Sequence, residues 1–269
     1  MKKILIIKLS SLGDIIHSLA IPKGLKEKYP DCFISWMVSN KFKNVLEGNP
    51  YIDEILIFER DRWGGLKNFI KNHQEILNLI FKIRQKRFDV VFDFQGLIRT
   101  GIFVLFSGAR LKVGFSNARE MSSLAYNTKI LIPKEVSHAI EQNNYLVESV
   151  LSAKMPKDFP IFYSTKDYEK AKLWVNQKPT AIFVPGARWQ TKRWPPKHFA
   201  KLLDMLVKNL GYQIILIGAK SDDLLGKQIL SNSSHKENII DLIGETSLKE
   251  LAAVMAKANI VISNDSGPM

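Results

Sequence analysis

Short blocks of four or five apolar residues recur along this chain, separated by stretches in which apolar positions return every three or four residues. That alternation predicts repeated βα units, with parallel strands buried on both faces of a sheet. The first block, residues 4–7, ends at Lys8. Ser10, Ser11 and Gly13 follow as a tight turn with hydroxyls able to cap a helix, and apolar positions resume with helical spacing at Ile15, Ile16 and Leu19. Asp14 is therefore expected at a helix start beyond the carboxyl end of a strand, where open α/β sheets bind ligands. Such a carboxylate has two readings: an acid favoured by the helix dipole, or a general base at the rim of a cleft.

Further along, Pro22 and Gly24 are expected to interrupt the first helix, and Tyr29, Pro30 and Asp31 mark a turn before a strand at 34–38. A third strand is predicted at 54–58, followed by a loop carrying Arg60, Arg62 and Trp63 and made pliable by Gly64 and Gly65. A helix from Leu66 places Phe69, Ile70, His73, Leu77, Ile80 and Phe81 on one apolar stripe, with Lys67, Lys71, Lys82 and Lys86 largely off it, so His73 reads as a packed side chain. A strand at 89–94 runs through Gln95 and Gly96 into an apolar helix carrying Arg99, whose plain reading is a charge reaching water along its own stem. A strand at 112–115, a polar loop with Arg119 and Glu120, and a helix opened by Ser137 and His138 complete this half. Pro156, Pro160 and Pro179 loosen the rhythm, which predicts domains at 1–160 and 161–269. A second series then offers strands at 181–184, 213–217, 239–242 and 260–263, a helix at 197–210 closed by Gly211, and a helix through Leu248, Leu251, Ala252 and Met255. The expected fold class is α/β: two Rossmann-like lobes facing a cleft, an arrangement suited to a two-substrate transfer.

With 269 residues, 46% of them hydrophobic, the chain has the length of about two domains. No stretch approaches the roughly eighteen uninterrupted apolar residues that span a bilayer. The excess of 39 Lys+Arg over 26 Asp+Glu, a formal charge of +13, favours polyanionic partners: nucleic acid, a phosphorylated glycolipid or an anionic membrane surface. Charge alone does not choose among them, but the cations are spread over helices and loops with no recognisable nucleic-acid module, so no nucleic-acid partner is expected. Cys32 is the only cysteine, which rules out an internal disulfide and fits a reducing compartment. Neither a dinucleotide fingerprint nor a phosphate loop is present, and no His, Cys or carboxylate cluster has metal-ligand spacing, so neither cofactor nor metal is expected. The NDSG segment at a strand end nevertheless offers backbone N–H groups and the Ser266 hydroxyl to an anion. Lys192, on a facing loop, offers the positive charge that a departing diphosphate needs.

KLSSLGD near the start, DFQGLIRTG in the middle, NARE with YNTK beyond it, PGARWQTKRWP in the second half and NDSGPM at the end together resemble the lipopolysaccharide heptosyltransferases of glycosyltransferase family 9. The middle motif and the NARE segment look most like heptosyltransferase I. The resemblance covers essentially the whole chain, with the motifs in order. It implies a GT-B architecture, an acceptor-binding first lobe and a second lobe that binds ADP-heptose. It also implies inverting transfer of heptose from ADP-L-glycero-β-D-manno-heptose to the Kdo sugar of lipid A, in lipopolysaccharide inner-core synthesis. The implied location is cytoplasmic, peripheral at the inner membrane's cytoplasmic face, with contact to its anionic surface. Position by position, Asp14 matches the family's catalytic base and Lys192 its lysine on the donor diphosphate. Asp265, Ser266 and Gly267 match its donor-binding turn, and Asp222 lies near its acid for the adenosine ribose. Arg60, Arg62, Arg99 and Arg119 lie where the family presents cations to the acceptor, and guanidinium forks suit carboxylates and phosphates. Family members continue through a histidine, another βα unit and a C-terminal helix, whereas this sequence stops at Met269. An incomplete donor lobe with an unpaired sheet edge is the expectation, and a catalytically silent binding protein of the same family, or a basic nucleic-acid-binding protein, stands as the alternative.

Overall fold

In a computed structural model of the protein, residues 3–63, 65–175 and 178–267 are described. Gly64, Pro268, Met269 and the side chain of Phe69, all used in the sequence reading, lie outside them. The chain divides into two compact units, Met1–Ile161 and Phe162–Met269. The first holds six strands, β1 (Lys3–Ile7), β2 (Phe33–Ser39), β3 (Glu54–Phe58), β4 (Val90–Asp93), β5 (Leu111–Phe115) and β6 (Thr128–Ile130), all parallel in the order β3-β2-β1-β4-β5-β6. This is the strand order of a doubly wound nucleotide-binding fold, with β1 central. Register sets Ile7 beside Met37 on one side and Asp93 on the other, so the carboxyl ends of β1 and β4 meet. Ile4 to Ile7 are all fully buried because successive side chains point to opposite faces and helices cover both.

The second unit has β7 (Thr180–Val184), β8 (Gln213–Leu216), β9 (Ile239–Asp241) and β10 (Ile260–Ser263), again all parallel, in the order β10-β7-β8-β9. Counted within the unit, this is the same 3-2-1-4 order as the first four strands of its counterpart. One face packs Ala181 and Phe183 against Phe199 and Leu203, and the other packs Ile182 and Val184 against Leu251 and Val254. Gly211 ends the helix Pro196–Leu210 in the left-handed conformation, φ 66°, as a residue without Cβ readily does. β10 is an edge strand on which Ile260 and Val261 are 42% and 41% exposed.

Several expectations change. The helix Ala20–Lys28 runs through Pro22 and Gly24 rather than breaking there. Pro22 sits in its first turn, where the missing N–H has no intrahelical acceptor, and Gly24 admits Pro156, which a Cβ would approach to 2.6 Å. Arg60–Trp63 is a helical turn, not a loop, because Trp63 is buried against Phe58 at a ring-centroid distance of 5.1 Å. The helix expected from Leu66 is two helices, Leu66–Lys71 and His73–Gln85. Ile76 and Ile83 face the core, while Ile70, Leu77 and Phe81 are more than half exposed and His73 is exposed too. The break after Lys71 resets the helical phase, so a stripe drawn across both segments selects the wrong face. β6 and the helix Asp223–Asn232 were not anticipated.

Candidate functional site

In the first unit the chain leaves β1 at Lys8 and enters the short helix Leu12–Ile16. Asp14 is its third residue and closes a capping box: the Ser11 N–H and Ser11 hydroxyl both donate to Asp14 Oδ2, at 2.9 and 2.8 Å. The capping reading of Asp14 thus holds, and because the cap uses Oδ2, Oδ1 has no hydrogen bond among the described residues. Partial burial pushes its pKa up, but the Lys8 ammonium, the two Ser11 hydrogen bonds and His17 together hold it below the ordinary carboxylate value. Lys8 is itself buried, with Nζ donating to the Phe94 carbonyl at 2.9 Å, and burial lowers its pKa against the opposing pull of Asp14 and Asp93.

The loop after β4 faces this one. Asp93, fully buried, accepts from the Gln95 and Gly96 N–H groups at Oδ1 (2.9 and 3.1 Å) and from the Tyr126 hydroxyl at Oδ2 (2.8 Å), with Thr100 Oγ1 also 2.8 Å from Oδ2. Burial raises its pKa, and these hydrogen bonds only partly counter that. Gln95 Oε1 reaches back across the sheet end to the N–H groups of Leu9 and Ser10. His17, one turn beyond Asp14, lies 5.7 Å from the His138 ring and 6.4 Å from Phe159 between centroids, and burial lowers its pKa. Lys8, His17, Gln95 and Tyr126 were not singled out from sequence as site residues. Lys8 carried a signal, a charge closing an otherwise apolar strand, and Gln95 and Tyr126 lie within the DFQGLIRTG and YNTK segments, with no role assigned to them there.

The four arginines differ. Arg62 is paired with Glu75, which also accepts from Trp63 Nε1 at 3.0 Å. Arg60 and Arg119 are exposed and Arg99 half-buried, and none of the three has an ion pair among the described residues. The Arg119 N–H donates to the Gly96 carbonyl at 3.1 Å, tying the NARE segment to the loop after β4. Glu120 accepts from the Ile98 N–H at 3.2 Å, at the start of the helix that carries Arg99.

In the second unit three strand ends converge. Asn264, following β10, donates from Nδ2 to the Pro185 carbonyl (2.7 Å) and accepts at Oδ1 from the Trp194 N–H (3.1 Å), so it spans the loop after β7. Lys192 on that loop is ion-paired with Asp265. Asp222 is buried behind the glycines of the first two strand ends: a Cβ on Gly186 would lie 2.3 Å from its Oδ2 and one on Gly218 3.2 Å. Its Oδ2 accepts from the Ala219 N–H at 3.0 Å. Ser266 Oγ is buried with no hydrogen-bond partner among the described residues. The structure thus brings Lys192, Asp265 and Ser266 to one rim and sets Asp222 in the glycine cradle beside the β7 and β8 ends.

These features have counterparts in known proteins. Residues 76–269 match the model of glycosyltransferase family 9 (heptosyltransferase). Lipopolysaccharide heptosyltransferase 1 of Salmonella typhimurium is 28% identical over 274 residues, covering 98% of this chain and 83% of that protein. In fold the chain resembles a family 9 glycosyl transferase from Veillonella parvula, with a TM-score of 0.86 at 24% identity over 100% of this chain and 76% of the other. It also resembles Escherichia coli heptosyltransferase WaaC with ADP-2-deoxy-2-fluoro heptose, with a TM-score of 0.79 at 24% identity over 98% and 83%. The doubly wound units and the match across most of the sequence agree: this chain belongs to glycosyltransferase family 9, the heptosyltransferases.

Proposed function

We propose that the protein transfers heptose, with inversion, from ADP-L-glycero-β-D-manno-heptose to the Kdo sugar of lipid A, using Asp14 as general base. The observation that carries this reading is the Asp14 side chain itself. It stands at the carboxyl end of β1 with Oδ2 anchored by Ser11, no hydrogen bond on Oδ1 among the described residues, and a pKa held low enough to keep it ionised at neutral pH. Such a carboxylate accepts the acceptor hydroxyl's proton as the new glycosidic bond forms. The ADP-sugar complex of the E. coli relative supports the donor assignment.

In this reading the second unit holds the donor. Lys192 leaves Asp265 to meet the charge that develops on the diphosphate as the sugar departs, and the unpartnered Ser266 hydroxyl, with Gly267, contacts the donor. Asp222 shapes the donor cradle next to the ribose. Arg60, Arg99 and Arg119, with Arg62 if it exchanges Glu75 for ligand, hold the acceptor's carboxylates and phosphates. No helix among the described residues is long and apolar enough to cross a membrane, and the +13 charge supports a peripheral approach to the anionic face of the inner membrane from the cytoplasm.

The test is transfer from ADP-heptose to Kdo-lipid A, read as heptosylated product with its anomeric configuration assigned by NMR. Product of inverted configuration from the parent is expected. Absence of product, combined with tight and salt-sensitive binding to DNA or RNA, overturns the reading.

A further inference from the structure

We propose that Gln95 is a positioning residue that sets the Asp14 carboxylate, a role that rests on the reading of Asp14 as base. Beyond β1 three successive N–H groups, those of Leu9, Ser10 and Ser11, leave the sheet ladder. Gln95 Oε1 accepts the first two, at 3.0 and 3.1 Å, using both lone pairs of a single carbonyl oxygen. The third goes to Asp14 Oδ2 at 2.9 Å. The peptide plane that aims Ser11 at Asp14 is thus continuous with the two that Gln95 holds, and release of Gln95 frees the segment on which the carboxylate is mounted.

Gln95 is held in turn. Its own N–H and that of Gly96 are fixed by Asp93 Oδ1, and Asp93 Oδ2 is fixed by the Tyr126 hydroxyl. Tyr126 fits because Gly114 of β5 has no side chain: a Cβ there would lie 2.2 Å from the ring. The brace therefore runs from β5 through Tyr126, Asp93 and Gln95 to the Asp14 segment, and Lys8 adds a parallel tie to the Phe94 carbonyl. Burial stiffens it, since Asp93 and Tyr126 have little access to water as an alternative partner. A carboxamide suits the joint because it accepts two hydrogen bonds without adding a second anion next to Asp14.

The experiment compares Gln95→Met, which keeps length and volume but accepts nothing, Gln95→Ala, which admits water, and Gln95→Glu, which restores an acceptor oxygen. Steady-state heptose transfer is measured for each with donor and acceptor varied separately, on variants shown to fold by circular dichroism. We expect Met or Ala, whichever folds, to lower kcat by about ten- to a hundredfold, the scale of a catalytic group misplaced by about 1 Å, while both KM values stay within about threefold. Glu restores the acceptor oxygen but adds the anion, so it should recover part of the kcat loss and move the acid limb of the kcat/KM profile to higher pH. A variant without the acceptor whose kcat stays within about twofold of the parent, a loss that falls on KM, or a Glu variant as impaired as Met at every pH, including the alkaline plateau, overturns the positioning role. A parent that transfers no heptose overturns instead the functional reading on which it rests, so the two failures are distinguishable.

Discussion

The two units share a strand order through their first four strands, and each uses a carboxamide beyond the fourth strand to hold the loop beyond the first. In the first unit Gln95 takes the Leu9 and Ser10 N–H groups, and in the second Asn264 joins the Pro185 carbonyl to the Trp194 N–H. What they hold differs. The first unit buries the titratable side chains of Lys8 and Asp93 at its strand ends and mounts the Asp14 carboxylate beside them. The second keeps Gly186 and Gly218 at its strand ends, with Asp222 behind them and an exposed Lys192–Asp265 pair at the rim. One topology thus supports a preorganised ionised group in one unit and a backbone-lined cradle in the other, which suits the proposed roles of a fixed proton acceptor and a closely approached diphosphate.

The sharpest way to break this comparison is to disable the reacting group proposed for each unit. Asp14→Asn keeps the size of the side chain but cannot take a proton, so kcat should fall by about a hundred- to ten-thousandfold with donor affinity retained. Turnover near the parental rate in a folded variant would return Asp14 to helix capping alone. Lys192→Ala should lower kcat by up to about a hundred- to a thousandfold, with adenosine binding changed far less, because in its proposed role the lysine acts on charge formed in the transition state. Isothermal titration with adenosine beside the transfer assay separates the two effects.

A smaller effect is expected from the first-unit arginines. Replacing Arg60, Arg99 and Arg119 should raise the acceptor KM and leave the donor KM nearly unchanged, with Arg62→Ala alone weaker than any of them because its guanidinium already serves Glu75. Equal donor and acceptor effects would assign these cations to general solvation.

The smallest expected change concerns pH. Lys8 is the leading influence that lowers the Asp14 pKa against its burial, so Lys8→Met should let that pKa rise. The acid limb of the kcat/KM profile, which reports the free enzyme's base, then moves to higher pH, whereas the parent keeps activity down to values below the ordinary carboxylate range. An acid limb that stays in place would remove Lys8 from control of the base.

Most of the strand plan was legible because its signal is local. Apolar runs at 4–7 and 181–184 fall within β1 and β7, where every one of those side chains is buried, since a strand covered on both faces selects apolar residues along its length. Asp14 at a helix start was equally readable, because a capping box is written within four consecutive residues. The helical turn at Arg60–Trp63 and the continuous helix through Pro22 were not, since each depends on what packs from elsewhere: Phe58 against Trp63 in the first, Pro156 against Gly24 in the second. Nor did the sequence announce the links from Asp93 to Tyr126, thirty-three positions apart, or from Asn264 to Pro185, seventy-nine apart. The sequence by itself determined two βα series and the residues at their strand ends. Only the tertiary structure decided which of those residues hold one another, because a buried polar group must find its partner wherever the fold brings one within hydrogen-bond reach, and chain separation carries no record of that.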